Sequence, residues 1–471
     1  MKLSSMGRFR WSLLACASIL IGTALLIGLG SDSKHARPNV LLISIDSLRH
    51  DHLGIDGYHR DTSPYIDKLA RSGAFFKNAI SSSSWTLPAH VTLLTALPPQ
   101  QHGVVAPADA LDSDALSLAE VLQQNGYATA AFVSGPFLRS LHGFAQGFDL
   151  FDDEVSATNN LASHQDRTSP ALFERVRTWL MDKASRDSAP FFLFLHMWDV
   201  HYDFDPPPPY DSLFDPDYTG EITGRNFELG RDIHPGMSKR DLEHVIALYD
   251  GEIRYTDSYV GKVLNVLEQI GASEKTIVIV TSDHGEEFFE HGQKGHGKNL
   301  YDETIRIPLI ISQPSRIRPG QVIETQVRLA DIAPTVLGLV GIPQPPEFGA
   351  TQTMAVGLDL SAPILTDFAP PGDLIAHSHL RLFDKMTSVR NERSKFIRKG
   401  GLENFELYDL AEDPGENNDL ARKSGMPAFG EALRAAERDQ ILTSRDKPPF
   451  RKSAATTKPH EARLRALGYI D

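Results

Sequence analysis

Three short clusters in this chain carry side chains suited to chemistry on an anionic ester. Ile45-Asp46-Ser47 closes the apolar run NVLLISI, and Ser282-Asp283-His284-Gly285-Glu286 closes a second apolar run in the same way. In open α/β sheets, functional groups gather just beyond the carboxyl ends of strands. An adjacent Asp–His pair there offers a hard oxygen and an imidazole nitrogen to one point. That donor set suits Mn, Zn, Fe or, less selectively, Ca or Mg. Each cluster alone serves as readily as a turn or a cap. Together they make Asp46, Asp283 and His284 candidate ligands of a divalent metal.

The third cluster, Ser84-Trp85-Thr86-Leu87-Pro88-Ala89-His90-Val91, lies between them. Pro88 is tolerated in a first helical turn, where its missing N–H costs nothing. Thr86 then sits at the helix N-terminus, where free amides and the dipole favour an anion. An ordinary N-cap is the other reading of Thr86. A threonine hydroxyl is a weak nucleophile until a nearby metal lowers its pKa. The Asp/His set would supply that activator.

Two further groups fit a tetrahedral oxyanion. One is His196-Met197-Trp198-Asp199-Val200-His201, directly after another apolar run. The other is Gly295-His296-Gly297-Lys298, followed by Tyr301. Imidazoles and an ammonium beside a reacting group can bind its oxygens and protonate the departing one. A single histidine is as a rule structural; here several cluster at loop starts beside the metal motif.

These side chains need a scaffold, and the remaining pattern describes one. Asn39–Ile45, Thr129–Val133, Pro190–His196, Thr276–Thr281 and Ile307–Ser312 read as buried strands. Helix-like segments alternate with them at Ser63–Gly73, Ala89–Ala96, Leu116–Gly126, Ala171–Lys183, Lys239–Ile270 and Leu329–Val340. That alternation predicts an α/β fold with a mostly parallel sheet covered by helices on both faces. Asp203–Gly236, rich in Pro, Asp, Tyr and Gly, reads as a long loop at the active site. From about Leu380 the texture changes to short β-like pieces and charged helices, ending in the tail LRALGYID. We therefore expect a catalytic domain over 31–370 and a small antiparallel C-terminal subdomain with a helical tail over 371–471.

Residues 1–30 read differently. Lys2, Arg8 and Arg10 precede an uncharged stretch, Trp11–Gly30, long enough to cross a bilayer. The charge placement keeps the N-terminus in the cytoplasm and exports the rest. A single membrane anchor is preferred over a cleaved signal. The net charge of −14 makes the chain a poor partner for nucleic acid. Cys16 is the single cysteine, so the exported body has no disulfide, thiolate ligand or cysteine nucleophile.

Several blocks, in order, resemble the sulfatase family of the alkaline phosphatase superfamily. They are NVLLISIDSLRHDHLG, TSPYIDKLARSGAFF, SWTLPAHVTLLTALPP with QHG, TSDHGEEF and GKNLYDETIRIPLII, followed by VRNERSKFIRKGG and FELYDLAEDPGENNDLA. The resemblance covers most of residues 38–420. It implies the sulfatase-type fold, metal ligation by Asp46, Asp283 and His284, and the nucleophile position, beside the metal, at Thr86. It places His90 where the family's motif arginine stands, and His201 and Lys298 at substrate-contacting positions, His201 as a catalytic group. His296 and Asp199 fall close by.

The departures bear on the chemistry. Family members carry Cys, sometimes Ser, in C-x-P-x-R and oxidise it to formylglycine; Thr86 cannot become that aldehyde, so no formylglycine is expected. Ser47 replaces a second aspartate. Gly126-Tyr127-Ala128-Thr129 leads into Val133-Ser134-Gly135-Pro136, without the family's Lys and His. Threonine with Asp and Asp–His instead resembles phosphodiesterases and phosphoethanolamine or phosphoglycerol transferases of the same superfamily. There the threonine carries a phosphoryl intermediate. Two-metal members need extra ligands, which Asp199, His201 and His296 would furnish; one metal is preferred. The reading is a metal-dependent hydrolase of phosphate or phosphonate (di)esters or sulfate esters, acting through Thr86 on a small-molecule, glycan or lipid ester. The alternatives are a transferase acting on envelope glycans or lipids, and a catalytically inactive binding protein.

Overall fold

A computed structural model describes residues 37–157, 167–186, 188–346, 348, 357–366, 374–401, 404–422, 428–444 and 450–470. The expected N-terminal membrane segment lies outside the described residues. Among the described residues no helix is long and apolar enough to cross a membrane. Pro38–Asp471 forms one compact unit.

The central sheet contains β1 (Asn39–Ile45), β2 (Ala74–Ile80), β3 (Ala128–Val133), β4 (Leu150–Asp152), β5 (Phe191–Met197), β6 (Thr276–Ser282), β7 (Arg306–Ser312), β8 (Gln321–Ile323) and β9 (Val327–Arg328). Its order is β8-β2-β7-β6-β1-β5-β3-β4, with β9 also beside β2. Every pairing is parallel except the two made by β7.

The most apolar runs take the middle of this sheet because both of their faces are covered. Val40 and Leu42 of β1 point into a core that holds Leu87, Val91 and Leu94 of the Thr86–Thr95 helix and Val336 of the Ile332–Leu339 helix. Leu41, Ile43 and Ile45 point the other way. They meet Ile66, Val176 and Val260 from the Pro64–Arg71, Ser169–Arg186 and Lys239–Gln269 helices. Period-two alternation on one strand thus feeds two cores. Each fully buried aliphatic side chain is worth about 1.5–3 kcal/mol. The sheet therefore fixes the polar groups at its end, not the reverse.

The expected α/β architecture is present, and the strands read from sequence match within two residues at each end. Four strands of the central sheet were not read from sequence: β4, β8 and β9 are only two or three residues long, and β2 (AFFKNAI) carries Lys77 and Asn78 at its centre, both half-buried, and interrupts its own apolar pattern. The helix expected from Ala89 begins earlier, at Thr86, because Pro88 falls in its first turn. Asp203–Gly236 holds no helix or strand beyond a single Phe204–Gly224 bridge.

The C-terminal sheet is an antiparallel meander of β10 (Ala376–Leu380), β11 (Met386–Arg390), β12 (Ser394–Lys399) and β13 (Phe405–Asp409). It braces the segment that leads to Thr86. Ser378 Oγ donates to the Ser81 carbonyl at 2.6 Å, the His379 amide to the Ser82 carbonyl at 2.8 Å, and Ser83 Oγ to the His379 carbonyl at 2.8 Å. The final helix, Lys458–Ala466, returns to the first core, where Leu464, Leu467 and Tyr469 are buried.

A fully buried ammonium ties this sheet to the catalytic side. Lys395 Nζ lies 2.9 Å from Asp302 Oδ1 and 2.8 Å from Glu416 Oε1, and Arg390 Nη2 lies 2.8 Å from Asp302 Oδ2. Asp302 opens the turn whose Glu303 and Thr304 carbonyls accept from the Glu286 and Gly285 amides. Removing one member of a buried ion network strands the others, at about 3–5 kcal/mol. Lys395→Ala is expected to lose stability of that order in urea denaturation; a loss below about 1 kcal/mol, the scale of a surface pair, would contradict it.

Candidate active site

Asp46 follows β1 directly, and Asp283 and His284 follow β6, its parallel neighbour. Two adjacent strands thus deliver three ligand-type side chains to one edge of the sheet, all fully buried. Their ligand atoms lie within 4.8 Å of one another. His284 Nε2 is 3.6 Å from Asp46 Oδ1 and 3.3 Å from Asp283 Oδ2.

The loops are held by backbone contacts specific to these residues. The Asp46 amide donates to the Met197 carbonyl at 2.9 Å, and the Ser47 amide to Asp283 Oδ1 at 3.3 Å. Ser282 Oγ donates to the His284 carbonyl at 2.6 Å, and Arg49 Nη1 to the Glu286 carbonyl at 2.9 Å. At Gly285 a Cβ would come within 2.1 Å of the Glu303 carbonyl oxygen, which explains the glycine after Asp-His.

The hydrogen-bond pattern fits a cation. His284 Nδ1–H donates to the Gly285 carbonyl at 2.9 Å, leaving the Nε2 lone pair toward the carboxylates. His196 does the same: its Nδ1–H donates to the Ser134 carbonyl at 2.8 Å, and Nε2 stands 3.3 Å from Asp46 Oδ2. Both His196 Nε2 and Asp283 Oδ2 are buried without a hydrogen-bond partner. Lone pairs facing carboxylates in a dry site repel unless positive charge lies between them. Burial works against the charge on Asp46, but the three imidazoles that face it, His196, His201 and His284, hold its carboxyl well below the usual range. Burial and the Asp46 charge push Asp283 up to about 6.

Thr86 completes the cluster. Trp85 is the residue before the helix and Thr86 its first member, so the hydroxyl is not spent on a cap. Oγ1 donates toward Asp46 Oδ2 at 3.4 Å and lies 3.3 Å from His284 Nε2.

His201 and His296 form a second layer. Burial pushes His201 down to about 4 and His296 well below its ordinary value, so both are neutral imidazoles. Burial, with Glu228 nearby, pushes the Glu286 carboxyl well up. The donor polarity then follows. Glu286 donates to His296 Nδ1 (3.0 Å), and His296 Nε2–H donates to the Tyr469 hydroxyl oxygen (2.8 Å). Tyr469 O–H donates to His201 Nε2 (2.9 Å), and His201 Nδ1–H to the Tyr202 carbonyl (2.6 Å).

Of the other expected residues, His90 touches the cluster, its Nδ1 3.5 Å from Asp283 Oδ2, and Asp199 and Lys298 are held by other partners. His90 is fully buried behind the cluster, its Nδ1–H donating to the Thr86 carbonyl at 2.9 Å and its Nε2 accepting from Ser44 Oγ at 2.9 Å. Asp199 caps the Ser169–Arg186 helix, accepting from the Thr168 amide and hydroxyl and from the Ser169 amide. Lys298 pairs with Glu228 at 2.5 Å and donates to the Lys294 carbonyl at 2.7 Å. A third acidic group, Glu287, His291 and Glu303, is saturated: Glu287 accepts from the His291 and Gln293 amides and from Asn299 Nδ2, and His291 donates to Glu303.

Sequence reasoning did not single out His196, Glu286 or Tyr469 as members of the site. His196, next to last in β5, pairs with Ser44 and Val133, a register that alternation alone does not reveal. Only its neighbourhood to Asp199 and His201 hinted at it.

Fold and site together define an ester hydrolase of the alkaline phosphatase superfamily with a candidate divalent-metal site. The sulfatase family profile matches residues 38–342, more than half of the chain, and the chain belongs to that family. Residues 290–441 match the family described as N-sulphoglucosamine sulphohydrolase, C-terminal. The chain is 27% identical over 332 residues to an ulvan-active sulfatase of Formosa agariphila, covering 66% of this chain and 63% of that protein. It is 26% identical over 500 residues to the multifunctional alkaline phosphatase superfamily protein PehA of Trinickia caryophylli, covering 84% and 93%. Arylsulfatase K of Homo sapiens is 22% identical over 467 residues, covering 87% and 85%. Among solved structures, one bound to its substrate D-glucosamine-2-N,6-O-disulfate superposes with a TM-score of 0.72 at 20% identity, covering 88% of this chain and 99% of that one. The phosphonate monoester hydrolase of Agrobacterium radiobacter gives 0.67 at 23% identity, covering 87% and 96%. At these identities the structures establish the fold.

The raised Asp283 makes a pH prediction. Its folded-state pKa of about 6 exceeds the ordinary 3.8, so the metal-free protein loses stability as pH rises through about 6. A cation binding the carboxylate must expel that proton. Divalent-metal affinity is expected to fall as pH drops through about 6, with proton release measurable by calorimetry in buffers of different ionisation enthalpy. A pH-independent affinity would remove Asp283 from the ligand set.

Proposed function

We propose that this protein hydrolyses an ester of phosphate or phosphonate, with Thr86 as nucleophile and Asp46, Asp283 and His284 holding a divalent cation. The observation that carries the reading is the Thr86 hydroxyl, uncapped at a helix N-terminus and 3.3–3.4 Å from two of the three candidate ligands. When bound, the cation supplies positive charge that makes the hydroxyl acidic and draws an anionic ester to it.

The chain's own residues account for the rest. Thr86 Oγ1 passes its proton toward Asp46 Oδ2 and attacks phosphorus, forming the Thr86 Oγ–P bond as the bond to the ester oxygen breaks. The amides at the start of the Thr86–Thr95 helix face the anionic oxygens. His296 Nε2–H gives its proton to the departing oxygen while the protonated Glu286 carboxyl supplies one to His296 Nδ1. Water then attacks phosphorus and its proton returns through His296 to Glu286, while the Oγ–P bond breaks and Thr86 Oγ1 takes back from Asp46 Oδ2 the proton it gave.

Family membership favours sulfate esters, and threonine favours phosphorus esters. A threonine sulfate has no second hydroxyl on the same carbon to expel sulfate by elimination, whereas a threonine phosphoryl ester is open to in-line water attack. PehA, multifunctional within the superfamily, is a relative in keeping with the second choice.

The test assays aryl phosphodiester, phosphonate monoester and sulfate esters with manganese or zinc present. Thr86→Ala is expected to cost on the order of a thousandfold or more in kcat with little change in metal binding, and Thr86→Ser to keep a measurable part of the rate. Sulfate ester cleavage that dominates and survives Thr86→Ala would overturn the assignment.

A further inference from the structure

The two imidazoles of the second layer, His201 and His296, have no ring nitrogen left for a substrate. His201 uses Nδ1 on the Tyr202 carbonyl and Nε2 on Tyr469; His296 uses Nδ1 on Glu286 and Nε2 on the same Tyr469 hydroxyl. An ester oxygen can bind this pair only where that hydroxyl now sits. The hydroxyl oxygen is in effect an intramolecular stand-in for a substrate oxygen.

Tyr469 arrives from far along the chain, by a route that looks built. The Lys458–Ala466 helix anchors through Leu464 and Leu467, both buried in the main core. Tyr202 Oη donates to the Leu467 carbonyl at 3.3 Å. Gly468, at φ 80°, turns the chain, and the Tyr469 ring lies edge-on to Phe137 at 4.7 Å between centroids. On the outer side, Gly468 lines a pocket of about 420 Å³ with Glu228, Lys298, Tyr301 and Phe383. The residue next to Tyr469 thus borders an open pocket that contains Lys298, while Tyr469 itself holds the two imidazoles.

We propose that Tyr469 is a specificity-determining residue of the site: its hydroxyl, which donates to His201 Nε2, occupies the seat on His296 Nε2–H that an anionic substrate oxygen must take, and the outer pocket at Gly468 receives the rest of the ester. Weakly anionic or poorly fitting esters fail to displace the hydroxyl. A dianionic or well-seated monoanionic head displaces it and takes over the His296 Nε2–H donor; only an oxygen that still carries a proton also reaches the His201 Nε2 lone pair. The helix need not leave for this; only the phenol and the residues after Leu467 yield. The proposal rests on the catalytic reading above only for the identity of the substrate, since the competition is between a phenol and any tetrahedral anion.

The experiment measures inorganic phosphate binding by calorimetry to the metal-loaded full-length protein and to Tyr469→Phe, which keeps the ring packing and deletes the hydroxyl. Y469F is expected to bind phosphate at least about fivefold more tightly, the worth of the hydroxyl's two hydrogen bonds no longer in competition. For an aryl ester, KM should fall in the same proportion with kcat changed less. A chain ending at Ala466 should shift affinity in the same direction; its melting temperature checks that it folds, and Y469F decides the matter where it does not. A merely structural tyrosine would leave phosphate affinity unchanged or weaken it. Equal or weaker binding by Y469F, including no binding by either protein, overturns the proposal. Tighter binding by Y469F in a protein that turns over no ester would sink the catalytic reading and leave this one standing.

Discussion

Two carboxylates withdrawn from water and set within a few ångströms of each other are costly, because each raises the price of ionising the other. Asp46 and Asp283 are in that position, and the nitrogens turned toward them, His284 Nε2 and His196 Nε2, present lone pairs rather than protons. No lysine or arginine joins Asp46, Asp283 and His284 among the contacts of the described residues. The cluster is chemically incomplete without a cation. The buried network around it, from the Ser47 amide to the Arg49 guanidinium, keeps the groups in a geometry they would otherwise relax away from.

The fold supplies the force that holds them there. β1 and β6 are apolar on both faces and locked between two cores, so their carboxyl ends cannot drift. The helix that carries Thr86 packs on the first core, and its lead-in segment is clamped by the C-terminal sheet through Ser378 and His379. Lys395, Asp302 and Glu416 then connect that sheet to the turn that receives Gly285. Three parts of the chain distant in sequence thus converge on one hydroxyl and one cation seat. The final residues add a fourth contributor, since Tyr469 meets the imidazoles of the catalytic domain.

What could be read from sequence follows from how local the signal is. β1, β5, β6 and β7 are continuous apolar runs, and adjacent Asp-His at a strand end is visible as text. β2 was hidden by Lys77 and Asn78, tolerated because both are only half-buried. Thr86 and His284 were legible as types, and their approach to 3.3 Å is a fact of tertiary structure. Asp199 looked like a ligand because it sits between two histidines, yet its carboxylate is occupied by the helix that begins at Ser169. His201 and His296 were legible; Tyr469, 268 and 173 residues away from them, was not, since no local pattern marks a tyrosine that returns to a site from a terminal helix.

The claim on which all of this depends is the seat of the cation. Anomalous diffraction from crystals of the full-length protein grown with manganese locates it directly. The account predicts one ion bound by Asp46, Asp283 and His284 at about 2.0–2.3 Å, with the Thr86 hydroxyl beside it. An ion found instead among Glu287, His291 and Glu303, or no ion between Asp46 and Asp283, would contradict it.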